Sequence, residues 1–188
     1  MEGEGQRRIN VRTIYGDVMA LKAWKDQILA KIFSRSPLLV ERWARSAKVV
    51  NNLDTPWAIL PKESRQCKIA LVTTAGVHLR SQAPFDMEDN GDPTWREIPS
   101  QADLQDLMIT HNYYDHRDAD RDINIVFPVK RLSELEADGV IGRIAPRHFS
   151  FMGHTGGRHL ETMVKKTAPE VAGLLKADEV DTVFLTPA

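Results

Sequence analysis

The chain is nearly without cysteine: Cys67 is the only one in 188 residues. A single thiol allows no internal disulfide and no cysteine-only metal cage, and it fits a cytoplasmic setting. Long apolar runs are missing too, and those present are far too short to span a bilayer. The opening stretch MEGEGQRRIN holds no apolar core of the kind a secretory signal needs. Charge of one sign is also absent: 25 Lys and Arg stand against 26 Asp and Glu, for a net charge of −1. That balance argues against a dedicated nucleic-acid binder. There is no serine elbow, no Gly-Lys-Ser/Thr phosphate loop and no lysine in a plainly apolar run, so no nucleophile declares itself.

What is present suits one packed domain with an appendage: 42% of residues are hydrophobic and 27% charged. Residues 1–50 carry a net charge of +5, leaving −6 on the remainder. Within that basic part, residues 17–35 place Val18, Leu21, Trp24, Ile28 and Ile32 at helical spacing behind Asp17 as N-cap. A second helix is expected after Ser36, with Pro37 in its first turn and Leu39, Trp43, Ala47 and Val50 on one face. These two form an expected helical hairpin, packed on its own domain or serving as a docking arm. Residues 51–66 hold two prolines and several turn formers and read as a linker. The expected division is 1–66, helical arm and linker, and 67–188, an α/β domain.

From Lys68 the texture changes. KIALVTT reads as a strand, followed by a long loop over 75–99. SQADLQDLMIT reads as a short helix and a strand ending at Thr110. PVKRLSELEADG is a helix with Leu132 and Leu135 on one face and Gly139 at its end, and VIGRIAP is extended. A helix from about His159 to Lys176, interrupted near Pro169, leads to a last strand in DTVFLTPA. Strands alternating with helices predict an α/β fold with a largely parallel sheet and flanking helices. Such sheets place their sites at the carboxyl ends of strands. The polar clusters follow LVTT, LMIT and RIAP, which are such ends.

HNYYDHRD brings His111, Tyr113, Asp115, His116 and Asp118 onto one loop. A hydrogen-bonded turn around Asp115, substrate contact through His111 or Tyr113, and a metal site are the alternatives. The spacing matches no strong metal signature. A histidine of ordinary pKa here could protonate a leaving amine. MGHTGGRH is either a plain turn or an anion cradle of backbone N–H groups around Gly153, Gly156 and Gly157. His78, Arg80 and Arg96 lie on the long loop, where an arginine either clamps a carboxylate or makes a surface ion pair.

Several stretches together, ALVTTAGVHLR, FDMEDNGDPTWREIP, DLMITHNYYDHRDADRDINIVFPVKRLSELEADGVIGRIAPRHFSFMG and APEVAGLL, resemble the glycine/sarcosine/betaine/D-proline reductase selenoprotein B family across about residues 68–188. The resemblance implies a reductase that splits a C–N bond of a small amino-acid-type substrate. It implies no cofactor in this chain, a pyruvoyl group on a partner subunit and a dithiol electron donor. It also implies a Sec-x-x-Cys segment after the last strand, and VFLTPA ends one residue before the expected selenocysteine. By resemblance, His78, Arg96, His111, Tyr114, Asp115 and His148 line the pocket, with no metal, nucleic-acid or membrane partner and with homo-oligomerisation left open. Two other readings stand beside it. One is a non-catalytic binding or subunit-assembly module; the other is a metal-dependent hydrolase using His111, Asp115 and His154.

Overall fold

The computed structural model describes residues 35–46, 58–60 and 62–187, with helical positions at 24–25, 28–29 and 31–32. The second of the two expected N-terminal helices is there as α1 (Pro37–Ser46). The Leu39 and Val40 amides donate to the Ser36 carbonyl, so the helix starts where Ser36 and Pro37 predict. Most of the first helix and the start of the linker lie outside the described residues, and so does the expected hairpin.

The domain that follows is α/β, built on β1 (Lys68–Thr73). Ile69, Ala70, Leu71 and Thr73 of this strand are buried, which is why it reads as an unbroken apolar run rather than an alternating one. Parallel to it on one side runs β7 (Thr182–Thr186), paired over five residues from Ile69↔Thr182 to Thr73↔Thr186. On the other side two short strands follow end to end, both parallel to β1. The start of β1 meets β5 (Arg143–Ile144) and its end meets β6 (Arg147–Ser150). Beyond β6 lies β3 (Arg96–Pro99), antiparallel. The sheet is therefore mostly parallel, as expected, with one antiparallel edge.

The long segment over 75–99 is not all loop. It contributes β3 and also β2 (Val77–Leu79), which pairs antiparallel with β4 (Leu107–Ile109) in a separate two-stranded sheet. Both strands are three or four residues long, and β3 ends in proline, so neither shows the period a strand is recognised by.

Alternation along the strands sorts the core onto two faces. Ile69 and Leu71 pack with Val77, Ile98, Phe127, Leu132 and Ile141 on one face. Val72 packs with Phe149, Phe151, Trp95, Val171 and Leu174 on the other. The first face is covered by α2 (Val129–Ala137), which buries Leu132. It closes at Gly139, whose φ of +68° suits the left-handed turn glycine accepts most easily. The second face is covered by one continuous helical stretch: α3 (Arg158–Thr162), a π turn (Met163–Thr167) and α4 (Ala168–Ala177). The interruption expected near Pro169 is this π turn, which leaves the proline in the first turn of α4, where its missing N–H costs nothing.

No helix among the described residues is long and apolar enough to cross a membrane.

Candidate functional site

The carboxyl ends of β1 and β7 are tied together by threonines. Thr73 Oγ1 lies 2.9 Å from the Val126 carbonyl and 3.2 Å from that of Thr186, and it accepts the Ala75 amide proton at 3.1 Å. Thr186 Oγ1 donates to the same Val126 carbonyl at 2.8 Å. This knot holds the end of β7 at the edge of the sheet where β1 and β6 also finish, and the Thr110 amide, bonded to the Gly76 carbonyl, brings the end of β4 from the smaller sheet beside it. Sequence reasoning missed it, although a threonine closing both LVTT and VFLT was the available signal.

Around that edge the loops after β4 and β6 bring their rings together. His111 is 4% exposed and stands edge-on to Tyr114 (4.8 Å between ring centres) and to Tyr113 (5.9 Å). Tyr113 stacks on His154 at 3.7 Å with the planes 20° apart. Tyr114 donates its phenol proton to the Ala75 carbonyl at 3.2 Å and faces His116 at 5.5 Å. His111 Nδ1 accepts the Tyr113 amide proton at 3.1 Å, which fixes the neutral ring's own proton on Nε2. That buried Nε2 has no hydrogen-bond partner among the described residues. Burial first, then the nearby His154 and His116, push the His111 pKa down to about 4. Burial likewise raises the Tyr114 phenol above its ordinary value. At neutral pH the pair thus presents an uncharged imidazole N–H beside an un-ionised phenol.

The remaining candidates are more dispersed. Asp115 is clamped by Arg117 through two bonds of 2.8 and 2.6 Å, which hold its pKa down to about 2. His78, 1% exposed, uses both ring nitrogens: Nδ1 donates to the Leu79 carbonyl and Nε2 accepts from Thr110 Oγ1, each at 2.8 Å. Burial, its largest influence, lowers its pKa. Arg96 ties down its own loop. Its guanidinium donates to the carbonyls of Ala83, Pro84 and Trp95 and to Thr94 Oγ1, and it lies 4.3 Å above the Phe85 ring. His148 sits apart, fully buried between β1 and Phe127.

The glycine turn at 153–157 is gripped by the loop over 86–92. Gly156 donates its amide to the Asn90 carbonyl at 3.2 Å, so one N–H of the expected cradle is used within the fold. Asp89 meets Arg158 and His159, and its pKa is lowered chiefly by the Asn90 amide and then by those two side chains. A side chain at Gly91 (φ +101°) would overlap the His154 carbonyl oxygen, so the approach of the two loops requires glycine there. Gly153 is exposed, and Gly157 (φ +54°) precedes α3 with open space about it. Among the described residues no three His, Cys, Asp or Glu side chains converge to hold a metal ion.

A mostly parallel sheet with a buried histidine and stacked rings gathered near its carboxyl edge defines an α/β protein whose polar groups cluster at strand ends. The chain belongs to the glycine/sarcosine/betaine reductase selenoprotein B family, whose model matches residues 47–188. It is 38% identical over 130 residues to the D-proline reductase subunit gamma of Acetoanaerobium sticklandii, covering 69% of this chain and 52% of that protein. It is 32% identical over 130 residues to the glycine reductase complex component B subunit gamma of Symbiobacterium thermophilum, covering 66% of this chain and 29% of that one. The corresponding subunit of Peptoclostridium acidaminophilum is also 32% identical over 130 residues, 66% of this chain and 28% of its own length. The chain therefore spans about half the length of the first relative and under a third of the others. No solved structure matches it.

Proposed function

We propose that this chain is the amino-terminal part of a reductase subunit that cleaves a C–N bond of an amino acid or derivative, with D-proline the first substrate to test. The observation that carries the reading is the position of Thr186. It ends β7 in the threonine knot, at the same sheet edge where His111, Tyr113, Tyr114 and His154 gather. In the family a Sec-x-x-Cys segment and a helix follow the last strand, and in the proposal they lie there, beyond Ala188. A selenolate at a helix N-terminus is stabilised by the dipole and the free N–H groups.

The overall change is balanced. The Cα–N bond breaks as the substrate takes up two electrons and two protons, and a dithiol donor becomes a disulfide. A pyruvoyl carbonyl on a partner subunit supplies the electron-withdrawing group that loosens the bond. In this chain, burial pushes the His111 pKa down to about 4, which favours a neutral hydrogen-bond donor over the general acid that a histidine of ordinary pKa could be. Its Nε2–H instead donates to a substrate oxygen, and the Tyr113–His154 stack forms the adjoining wall.

The test is reconstitution. The nucleotide sequence after the Ala188 codon is read first, with an in-frame UGA expected. The complete frame, with selenocysteine decoded, is then combined with its pyruvoyl-containing partner and a dithiol. Ring-opened 5-aminopentanoate should form from D-proline, and the 188-residue chain alone should form none. A complete complex that turns over none of D-proline, glycine, sarcosine and betaine sinks the reading.

A further inference from the structure

A cavity of about 540 Å³ lies beside β4, walled by Arg80, Leu104, Leu107, Ile109, Ala119 and Ile123. The β2–β4 sheet has two strands only, held to the core through Val77, Leu107 and Ile109, so β4 ends the sheet as an edge strand. The Arg80 amide bonds the Asp106 carbonyl at 2.8 Å and the Thr110 amide bonds the Gly76 carbonyl at 3.0 Å. With Leu79 opposite Leu107 and Val77 opposite Ile109, antiparallel alternation turns the main-chain groups of Leu107 and Ile109 outward. The Leu107 amide is taken by the Leu104 carbonyl. Among the described residues the Leu107 C=O, the Ile109 N–H and the Ile109 C=O have no main-chain partner on that outer edge, and both residues line the cavity. Both residues are under 10% exposed, and buried main-chain groups of this kind are nearly always paired. Acceptor, donor, acceptor along one edge is the pattern an incoming strand bonds to.

The charged groups nearby are mostly spent. Asp120 is held by His116 at 2.8 Å, Arg121 by Asp118 at 3.2 Å, and Asp122 by the Asn124 amide at 3.0 Å. Arg80 gives only its Nε–H, to the Gln105 carbonyl at 3.1 Å, among the described residues. Its terminal N–H groups are the open charge at the rim, and they suit a carboxylate.

We propose that this edge receives an extended polypeptide segment from another subunit of the reductase assembly, which adds a third strand to β2–β4 and sets a carboxylate against Arg80. The inference rests on the reading of the chain as a subunit of a complex. It is tested with the complete subunit, free and assembled with its pyruvoyl-containing partner, by residue-resolved hydrogen exchange and by the affinity of the Arg80→Glu variant. The Ile109 amide should exchange at least tenfold more slowly in the complex. Arg80→Glu should weaken assembly about tenfold or more, while the free subunit, which loses only the exposed bond to the Gln105 carbonyl, still melts cooperatively. A complex that forms with Ile109 exchange unaltered, or that binds Arg80→Glu as tightly as the parent, overturns the strand addition while the subunit reading survives. Failure to form any complex overturns both.

Discussion

His148 Nδ1 accepts the Leu71 amide proton at 3.1 Å, so a side chain fills a rung of the main-chain ladder beside β1. The rung is open because β5 and β6 are out of step: Ile69 pairs with Ile144 and Val72 with Phe149, leaving two extra residues around Pro146. His148→Phe keeps the ring volume and strands the Leu71 amide in the core. It should lower unfolding free energy by roughly 1–3 kcal/mol, the cost of a buried unpaired donor. His148→Asn, whose Oδ1 can stand where Nδ1 does, should recover part of that. Urea unfolding of the pair decides, and equal losses would rule out the hydrogen bond as the cause.

Acid should destabilise the protein earlier than its carboxylates alone predict. His111 and His148 both have folded pKa values lowered by burial to about 4, against an ordinary value of 6.5. Between pH 6.5 and 4 the unfolded chain binds protons that the folded one refuses, so stability is full above that window and falls as pH drops through it. Each histidine contributes a slope of up to about 1.4 kcal/mol per pH unit. Urea midpoints at pH 7 and pH 5 measure it, and His148→Asn should flatten the dependence. Asp92, whose pKa is lowered by hydrogen bonds from Thr94 and Asp86 against the opposing effect of burial, adds its loss only at more acid pH.

Three positive-φ glycines separate contact from strain. Gly91→Ala meets both the left-handed backbone and the His154 carbonyl, whereas Gly139→Ala and Gly157→Ala meet open space. The latter two should cost about 1–2 kcal/mol, the backbone term alone. Gly91→Ala should cost clearly more and free the 86–92 loop for proteolysis. Cleavage rates in that loop read the difference.

Thr73→Val removes a hydroxyl without changing shape. It leaves the Ala75 amide without its acceptor and loosens the hold of β1 on β7, for roughly 1–3 kcal/mol. Thr186→Val, at a half-buried site, should cost about 0.5–1.5 kcal/mol. Thermal melts of the two variants rank them.

In the complete subunit, His111→Phe should reduce kcat/KM for its substrate about tenfold or more, the worth of one buried hydrogen bond. His111→Gln, which keeps a donor, should be milder. A neutral donor leaves kcat/KM flat between pH 6 and 8; a break near 6.5 that disappears in His111→Gln would restore the general-acid role instead.

The fold was legible wherever a pattern was long enough to carry a period. β1 shows as an apolar run, α2 as Leu132 and Gly139 at the right offsets, and β7 as VFL between turn formers. What stayed hidden was short or defined by partners. Arg96–Pro99 is a strand because β6 lies beside it, and Arg147–Ser150 is one because β1 does. The site was legible as a cluster, since HNYYDH concentrates rings and charge on one loop. Its roles were not, because they depend on distant atoms. Arg96 offers the chemistry of a clamp and is spent on the carbonyls of residues 83, 84 and 95. His154 was weighed as a metal ligand and is found stacked on Tyr113, 41 residues earlier in the chain.

The pairing of β1 with β7 also sets a timetable. Lys68 and Asp181 touch although they stand 113 positions apart in the chain, as do Thr73 and Thr186. At a synthesis rate of about 5–20 residues per second, one whole flank of β1 waits roughly 6–23 s for its neighbour. An open strand edge is a template for the wrong partner, including the same edge on the next nascent chain. Crowded ribosomes making this protein therefore run a risk that its finished form does not show, and slower initiation, which spaces the nascent chains apart, should raise the yield of folded molecules.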